Sequence, residues 1–380
     1  MAERILTTRE LNRATLARQL LLERSPLGVF DAIKQLAGMQ AQVANAPYTG
    51  LWTRLQTFQR DDLTQLYMRR QVVRGSSLRC TLHLMPAEDY LLFHPLIQPA
   101  LSRNLHIFAS KTPGFDMASF EAEIRAYVKE QPRTGVELRA KMEELYPGMG
   151  RPQIADSVRI HLALIQPPPA GLWGFTGRPT HTEATEWLGR PLAGPQAGLR
   201  EFVLRYLAAF GPASVNDLQA WSGATKLQGA VEALRPELLT FRDEQGKELF
   251  DLPDAPRPAA DVPAPVHFLP EFDNVLLAHA DRKRIIADAY RPLVFGGEVP
   301  ARDNVMRTFL VDGFVAGHWK IKRTPEQAHL QIEPFAPLAD EAEQALREEG
   351  TRLLQFVADG NCARTIAFMP YNGNPNRQNL

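Results

Sequence analysis

Apolar positions recur at helical spacing from the start of the chain. After Thr7 and Thr8, either of which can cap a helix, Leu11, Leu16, Leu20 and Leu21 form one stripe. Phe30, Ile33, Leu36 and Ala37 form a second, which predicts a helix running to about Gln42. Asn45-Ala46-Pro47 ends it, because Pro47 disfavours the helical region for Ala46. A third helix is expected over Leu63 to Arg70, with Asp61-Asp62 as its cap and first turn. VVRGSSLRCTLHLMP, ending at Pro86, reads as two strands, and Ala87 to Phe108 returns to helix.

The same order comes twice more. Phe120 to Glu130 is amphipathic, Thr134 caps a second helix with Glu137 completing a capping box, and Ile154 to Leu164 is a third. QPPPAGLWGFTGRPTH supplies a turn and short strands. Leu199 to Phe210 opens the last copy; Gly211-Pro212 turns the chain, and Ser214 caps VNDLQAWSG. Lys226 to Leu234 is a candidate recognition helix, and LLTFRDEQGKELFDL is a hairpin turning at Gln245-Gly246. Three helices followed by a two-stranded wing is the winged-helix order. Beyond the proline-rich joint Pro253 to Val266 the pattern turns β-rich (VHFLP, NVLLAH, RPLVFGG, TFLVDGFVAGHWKIKR, HLQIEPF), interrupted by a helix over Glu341 to Phe356. The expectation is an α+β chain with winged helices at 1–110, 111–195 and 196–260 and a β-rich unit at 261–380. Tyr371 to Leu380 is polar and expected to be disordered.

With 380 residues, more than one core is expected, and 44% hydrophobic with 23% charged residues suits a soluble globular protein. No apolar run approaches a membrane span, and MAERILTTRE lacks a signal-peptide core, so the cytoplasm is the expected location. Two cysteines, Cys80 and Cys362, cannot build a zinc or iron–sulfur framework. The net charge is formally +0, which argues against a nucleic-acid binder held by bulk charge. Its distribution is uneven. Leu63 to Leu84 carries Arg69, Arg70, Arg74 and Arg79 without an acid, and Ala316 to Arg323 carries Lys320, Lys322 and Arg323. Such stripes remain compatible with DNA. GxxxxGK[ST], HExxH, GxSxG and paired CxxC are all absent. Neither a metal nor a cofactor is expected.

Gln40-Ala41-Gln42 carries two amides at the expected end of a helix. Residues two apart point to opposite faces of a helix but to one face of an extended segment, so two glutamines serving one site require the helix to unwind there. By spacing alone they read as ordinary solvated amides near a frayed helix end. The context changes this. GMQAQ, APYTGLWTRL, VVRGSSLRCTLHLMPAEDY and FLPEFDNVLLAHADRKRII, in that order, resemble the AlkZ/YcaQ-like DNA glycosylases, over roughly Ile5 to Gly360. The resemblance implies tandem winged helices, a small C-terminal β-barrel, and a Gln-x-Gln or Gln-x-Asp pair in the active site, here Gln40 and Gln42.

A glutamine cannot act as a general base; it can orient a water or place a dipole against developing charge. Such a pair suffices only where the leaving base is already activated, as in a cationic N7- or N3-alkylated purine. No lysine lies in the motif, so a Schiff base has no evident nucleophile and a monofunctional glycosylase is expected. His279-Ala280-Asp281-Arg282, followed by Lys283 and Arg284, resembles the family's groove-probing hairpin, with His279, Asp281, Arg282 and Arg284 as DNA-binding candidates. Asp281 could instead pin the turn or hold Arg282. Arg74, Arg79 and Lys320 are phosphate-contact candidates. His83 and Trp52, Trp173, Trp221 and Trp319 read as core residues. The expected partner is duplex DNA containing alkylated purines, with crosslink unhooking included, and the expected state is a monomer. A non-enzymatic winged-helix regulator or damage-binding protein is the rival, and a protein-interaction scaffold the third reading.

Overall fold

The computed structural model describes residues 4–296, 306–358, 360 and 362–370; the tail from 371 lies outside the described residues. The local capping signals act as written. Thr7 and Glu10 form a capping box at helix Thr8–Arg18, Thr134 and Glu137 at Gly135–Leu145, and Ser214 and Asp217 at Val215–Ser222.

Other boundaries move, for local reasons. The second helix spans only Val29–Gln35, because Ala37 (φ 55°) and Gly38 (φ 82°) turn left-handed and start the strand Met39–Gln40. Pro47 therefore does not end that helix, and Ala46 is itself helical: Pro47 lies in the first turn of a new helix, Ala46–Arg54, where its missing N–H costs nothing. Helix Arg60–Met68 is capped by Gln59 with Asp62 rather than by Asp61-Asp62. Ala87–Leu101 and Arg103–Lys111 replace one long helix, breaking at Ser102. Helix Pro152–His161 stops before Leu164, and the candidate recognition helix is a short Gln228–Leu234. NVLLAH is a 3-10 turn, Asn274–Leu276, and RPLVF is helical, Arg291–Phe295. The HADR stretch contains no strand: residues 277–286 are a succession of turns, not a hairpin.

Among the described residues the strands form three sheets. The first runs Met39–Gln40, Leu82–Pro86, Val72–Ser76, Leu164–Ile165, Thr180–Glu183, Arg133–Thr134. The strands after the first and second helical groups therefore join into one continuous sheet, through Gly75 opposite Ile165. The second places Ile5–Leu6 parallel to Leu239–Asp243, which pairs with Glu248–Asp251. The main apolar core follows this interlocking: it unites Ala37, Val73 and Leu78 with Ile165 and Ala184, with Phe202, Tyr206 and Trp221, and with Ala278.

The C-terminal sheet meets the barrel expectation in part. Its order is His267–Phe268, Thr308–Val311, Phe314–Arg323, Gln327–Pro334, Ala363–Phe368, and among the described residues it does not close, forming a half-barrel. Helix Asp340–Val357 packs on the sheet, burying Leu346, Leu353 and Leu354 against Phe268, Leu330 and Ile332.

Candidate active site and nucleic-acid interface

The left-handed turn at Ala37-Gly38 delivers Met39 and Gln40 to the edge of the first sheet, where Gln40 pairs with His83. Ala41 N–H donates to Leu82 O at 2.7 Å, after which the chain leaves the strand. The two glutamines consequently part. Gln40 is 6% exposed, whereas Gln42 is exposed, its Oε1 3.4 Å from Leu82 N.

Gln40 has a charged neighbour. Its Oε1 accepts from Arg79 Nη2 at 2.9 Å. Arg79 sits in a turn where it and Cys80 both adopt positive φ, 55° and 59°. The same Nη2 donates to Asn274 Oδ1 at 2.9 Å and contacts His83 Nε2 at 3.3 Å, and Nη1 donates to Trp221 O at 2.6 Å. Asn274 Nδ2 in turn donates to Gly38 O at 3.1 Å. Burial, with the charge of Arg282 adding to it, pushes the Arg79 pKa down to about 10, so it stays cationic at neutral pH. Burial and then the Arg79 charge push His83 down to about 3. Neutral His83 accepts at Nε2 and donates from Nδ1 to Thr81 O at 3.1 Å.

Beside Gln40 lies a cavity of about 10 Å³, lined by Gly38, Arg54, Glu271, Asp273 and Asn274, room for one water. Its two carboxylates are engaged. Asp273 Oδ1 and Oδ2 accept from Arg54 Nη2 and Nη1, each at 2.9 Å, and Glu271 Oε1 accepts from Arg307 Nε at 2.5 Å. Among the described residues no three His, Cys, Asp or Glu side chains converge as a metal site.

The other candidates separate into buried and exposed groups. Arg74 is 7% exposed, because its strand runs through the middle of the six-stranded sheet; it donates from Nε to Ala41 O at 2.9 Å and from Nη1 to Gln166 Oε1. Gln166 Nε2 continues to His181 Nε2 at 3.0 Å. In this structure Arg74 braces the backbone between the two glutamines rather than facing solvent. His279 is 2% exposed and donates from Nε2 to Phe210 O at 3.0 Å. Arg284, 7% exposed, donates to Pro212 O at 2.9 Å. Apolar Ala278, Ile285 and Ile286 carry both inward, so neither side chain reaches the surface. Asp281 is exposed and accepts from Lys283 N at 3.0 Å, pinning the turn. Arg282 lies over the Phe295 ring at 4.4 Å, and Lys320 is exposed with Glu333 at 3.0 Å. His83, Trp221 and Trp319 are core residues; Trp52 and Trp173 are partly buried against Phe356.

The family model described as "DNA glycosylase AlkZ-like" matches residues 33–356, a span that holds Gln40, Arg79 and Asn274. The chain belongs to the AlkZ-like DNA glycosylases. It is thus an enzyme class acting on DNA, and among the described residues no helix is long and apolar enough to cross a membrane. Its structure is similar to that of Streptomyces sahachiroi DNA glycosylase AlkZ, with a TM-score of 0.75 at 19% identity, covering 96% of this chain and 100% of that one. The curated proteins contain no significant match.

For this AlkZ-like chain, sequence reasoning missed Asn274 and the role of Arg79. The signal was present in part: FDN precedes the HADR stretch inside the same block, but nothing local links it to Gly38 or Gln40, far earlier in the chain.

Proposed function

We propose that this glycosylase hydrolyses the N-glycosidic bond of N7- or N3-alkylated, cationic purines in duplex DNA, with Gln40 and Gln42 at the reacting centre. One observation carries the reading: the cavity beside Gln40 offers amides and cations, while its carboxylates Asp273 and Glu271 are both committed to arginines. With no carboxylate in that lining free of an arginine partner, the site suits a leaving group that needs no further activation. Water oxygen bonds to the sugar C1′ as the C1′–N bond breaks; the electron pair leaves with the base, which departs neutral, and the water proton passes to solvent. No lysine lies in the Gln40-Ala41-Gln42 motif, which favours a monofunctional hydrolase. The three helical groups with their short strands act as winged helices on the duplex, and crosslinked purines fall within the same chemistry.

The experiment is base release from duplex DNA bearing a single N7-methylguanine. Release above the spontaneous rate by wild type, lost in Gln40→Ala and Gln42→Ala, is the expected result. Tight binding without release, unchanged in both variants, would instead establish a damage-binding protein.

A further inference from the structure

We infer that Arg79 is a positioning residue that locks the Gln40 amide in one orientation, with Asn274 holding Arg79 in place, so that Gln40 meets the DNA as a hydrogen-bond donor. This rests on the reading of Gln40 as part of the reacting centre.

A guanidinium has donors only, so the group facing Arg79 Nη2 must be the amide oxygen of Gln40. The amide nitrogen then points away from the clamp, and among the described residues it has no acceptor. Its two N–H bonds are free to hold the oxygen of an attacking water or an acceptor atom of the nucleotide. The reverse orientation, with the carbonyl presented to the sugar, would leave two N–H groups against a cation.

The clamp is built from four separate parts of the chain. Strand Met39–Gln40 supplies the amide, the left-handed turn at Arg79-Cys80 the cation, helix Val215–Ser222 the Trp221 carbonyl, and the turn Asn274–Leu276 the Asn274 amide. Asn274 also ties back to Gly38 O, two residues before Gln40. Gly223 contributes by absence of a side chain: a Cβ there would lie 3.0 Å from Arg79 Cα. The acceptors holding Arg79 are one backbone carbonyl oxygen, two side-chain amide oxygens and a neutral imidazole. No carboxylate competes with Gln40 for its protons in this set.

The test is a double-mutant cycle on single-turnover release of N7-methylguanine from duplex DNA, with binding of the same DNA and thermal unfolding measured in parallel. Arg79→Ala is expected to slow release by about 10- to 100-fold, with DNA affinity changed less than about threefold. In a Gln40→Ala background the same substitution is expected to add less than about threefold, since the orientation no longer matters. Arg79→Lys, which keeps the charge and one donor, recovers part of the rate; it carries the test if Arg79→Ala does not fold. Release by Arg79→Ala at the wild-type rate overturns the inference, as does a loss that multiplies in full with that of Gln40→Ala. Absence of release by the wild type, or full release by Gln40→Ala alone, overturns the assignment of Gln40 and this inference with it. Wild-type release sensitive to Gln40 but not to Arg79 overturns only the latter.

Discussion

Arg54 and Asp273 meet as a bidentate ion pair, two contacts of 2.9 Å between side chains only 2% and 3% exposed. The pair joins helix Ala46–Arg54 to the turn that presents Asn274, and Asp273 Oδ1 also caps that turn through Val275 N at 3.0 Å. Arg54 further donates to Gln19 O at 2.9 Å and Gly50 O at 3.0 Å, so the seam beneath the Gln40 cavity is saturated.

Removing one partner leaves the other charge buried and unpaired. Arg54→Met or Asp273→Asn is expected to cost about 3–5 kcal/mol of stability, read from denaturant unfolding. A loss below about 1 kcal/mol in both would mean the seam opens to water. Base release should fall with stability in both variants, since the turn carrying Asn274 loosens.

The Arg74–Gln166–His181 chain predicts that Gln166, which does not touch the motif, acts on it through Arg74. Gln166→Leu strips Arg74 Nη1 of its amide acceptor while Nε still holds Ala41 O. The expected cost is about 1–3 kcal/mol, with slower base release at near-unchanged DNA affinity. Unaltered release and unfolding curves would show that the brace is dispensable.

Acid should unfold the protein through its buried histidines. Folding holds His83 at about 3 and His181 and His267 at about 4, mainly by burial, against an ordinary value near 6.5. Between about pH 6.5 and 4 the unfolded chain binds more protons than the folded one, so stability falls as pH is lowered through that window. Asp89 opposes this in part: burial raises it to about 6 despite Arg205, so its own contribution favours the folded state as pH falls. The midpoint of thermal unfolding should drop from pH 6.5 to pH 4.5, and His181→Gln should flatten the slope by up to about 1.4 kcal/mol per pH unit. A flat profile for wild type over that range contradicts the burial of these rings.

Within the HADR stretch, neighbours should behave oppositely. Arg282→Ala, which alters the partly exposed guanidinium, is expected to weaken duplex binding and lower the salt slope by about 0.9, with little loss of stability. Arg284→Ala should instead destabilise by about 2 kcal/mol or more, leaving Pro212 O without its donor. Salt titrations and unfolding curves on the two variants separate the roles; reversal of the pattern would mean this segment rearranges on DNA.

What the chain declares locally, it declares in its sequence. The capping boxes at Thr7, Thr134 and Ser214 involve residues three apart, and the helical stripes need only their own periodicity, so both are legible without a fold. The four ordered blocks identify the family for the same reason: they are residue identities in order. Tertiary structure alone decided which polar groups face inward. Gln40 and Arg79 are 39 residues apart and Arg79 and Asn274 are 195 apart, so no local pattern links them. His279 and Arg284 look like a charged surface turn in the sequence, yet Phe210 O and Pro212 O take their protons in the interior. A polar side chain is buried only where a distant backbone offers it a partner, and that partner exists only once the chain has folded.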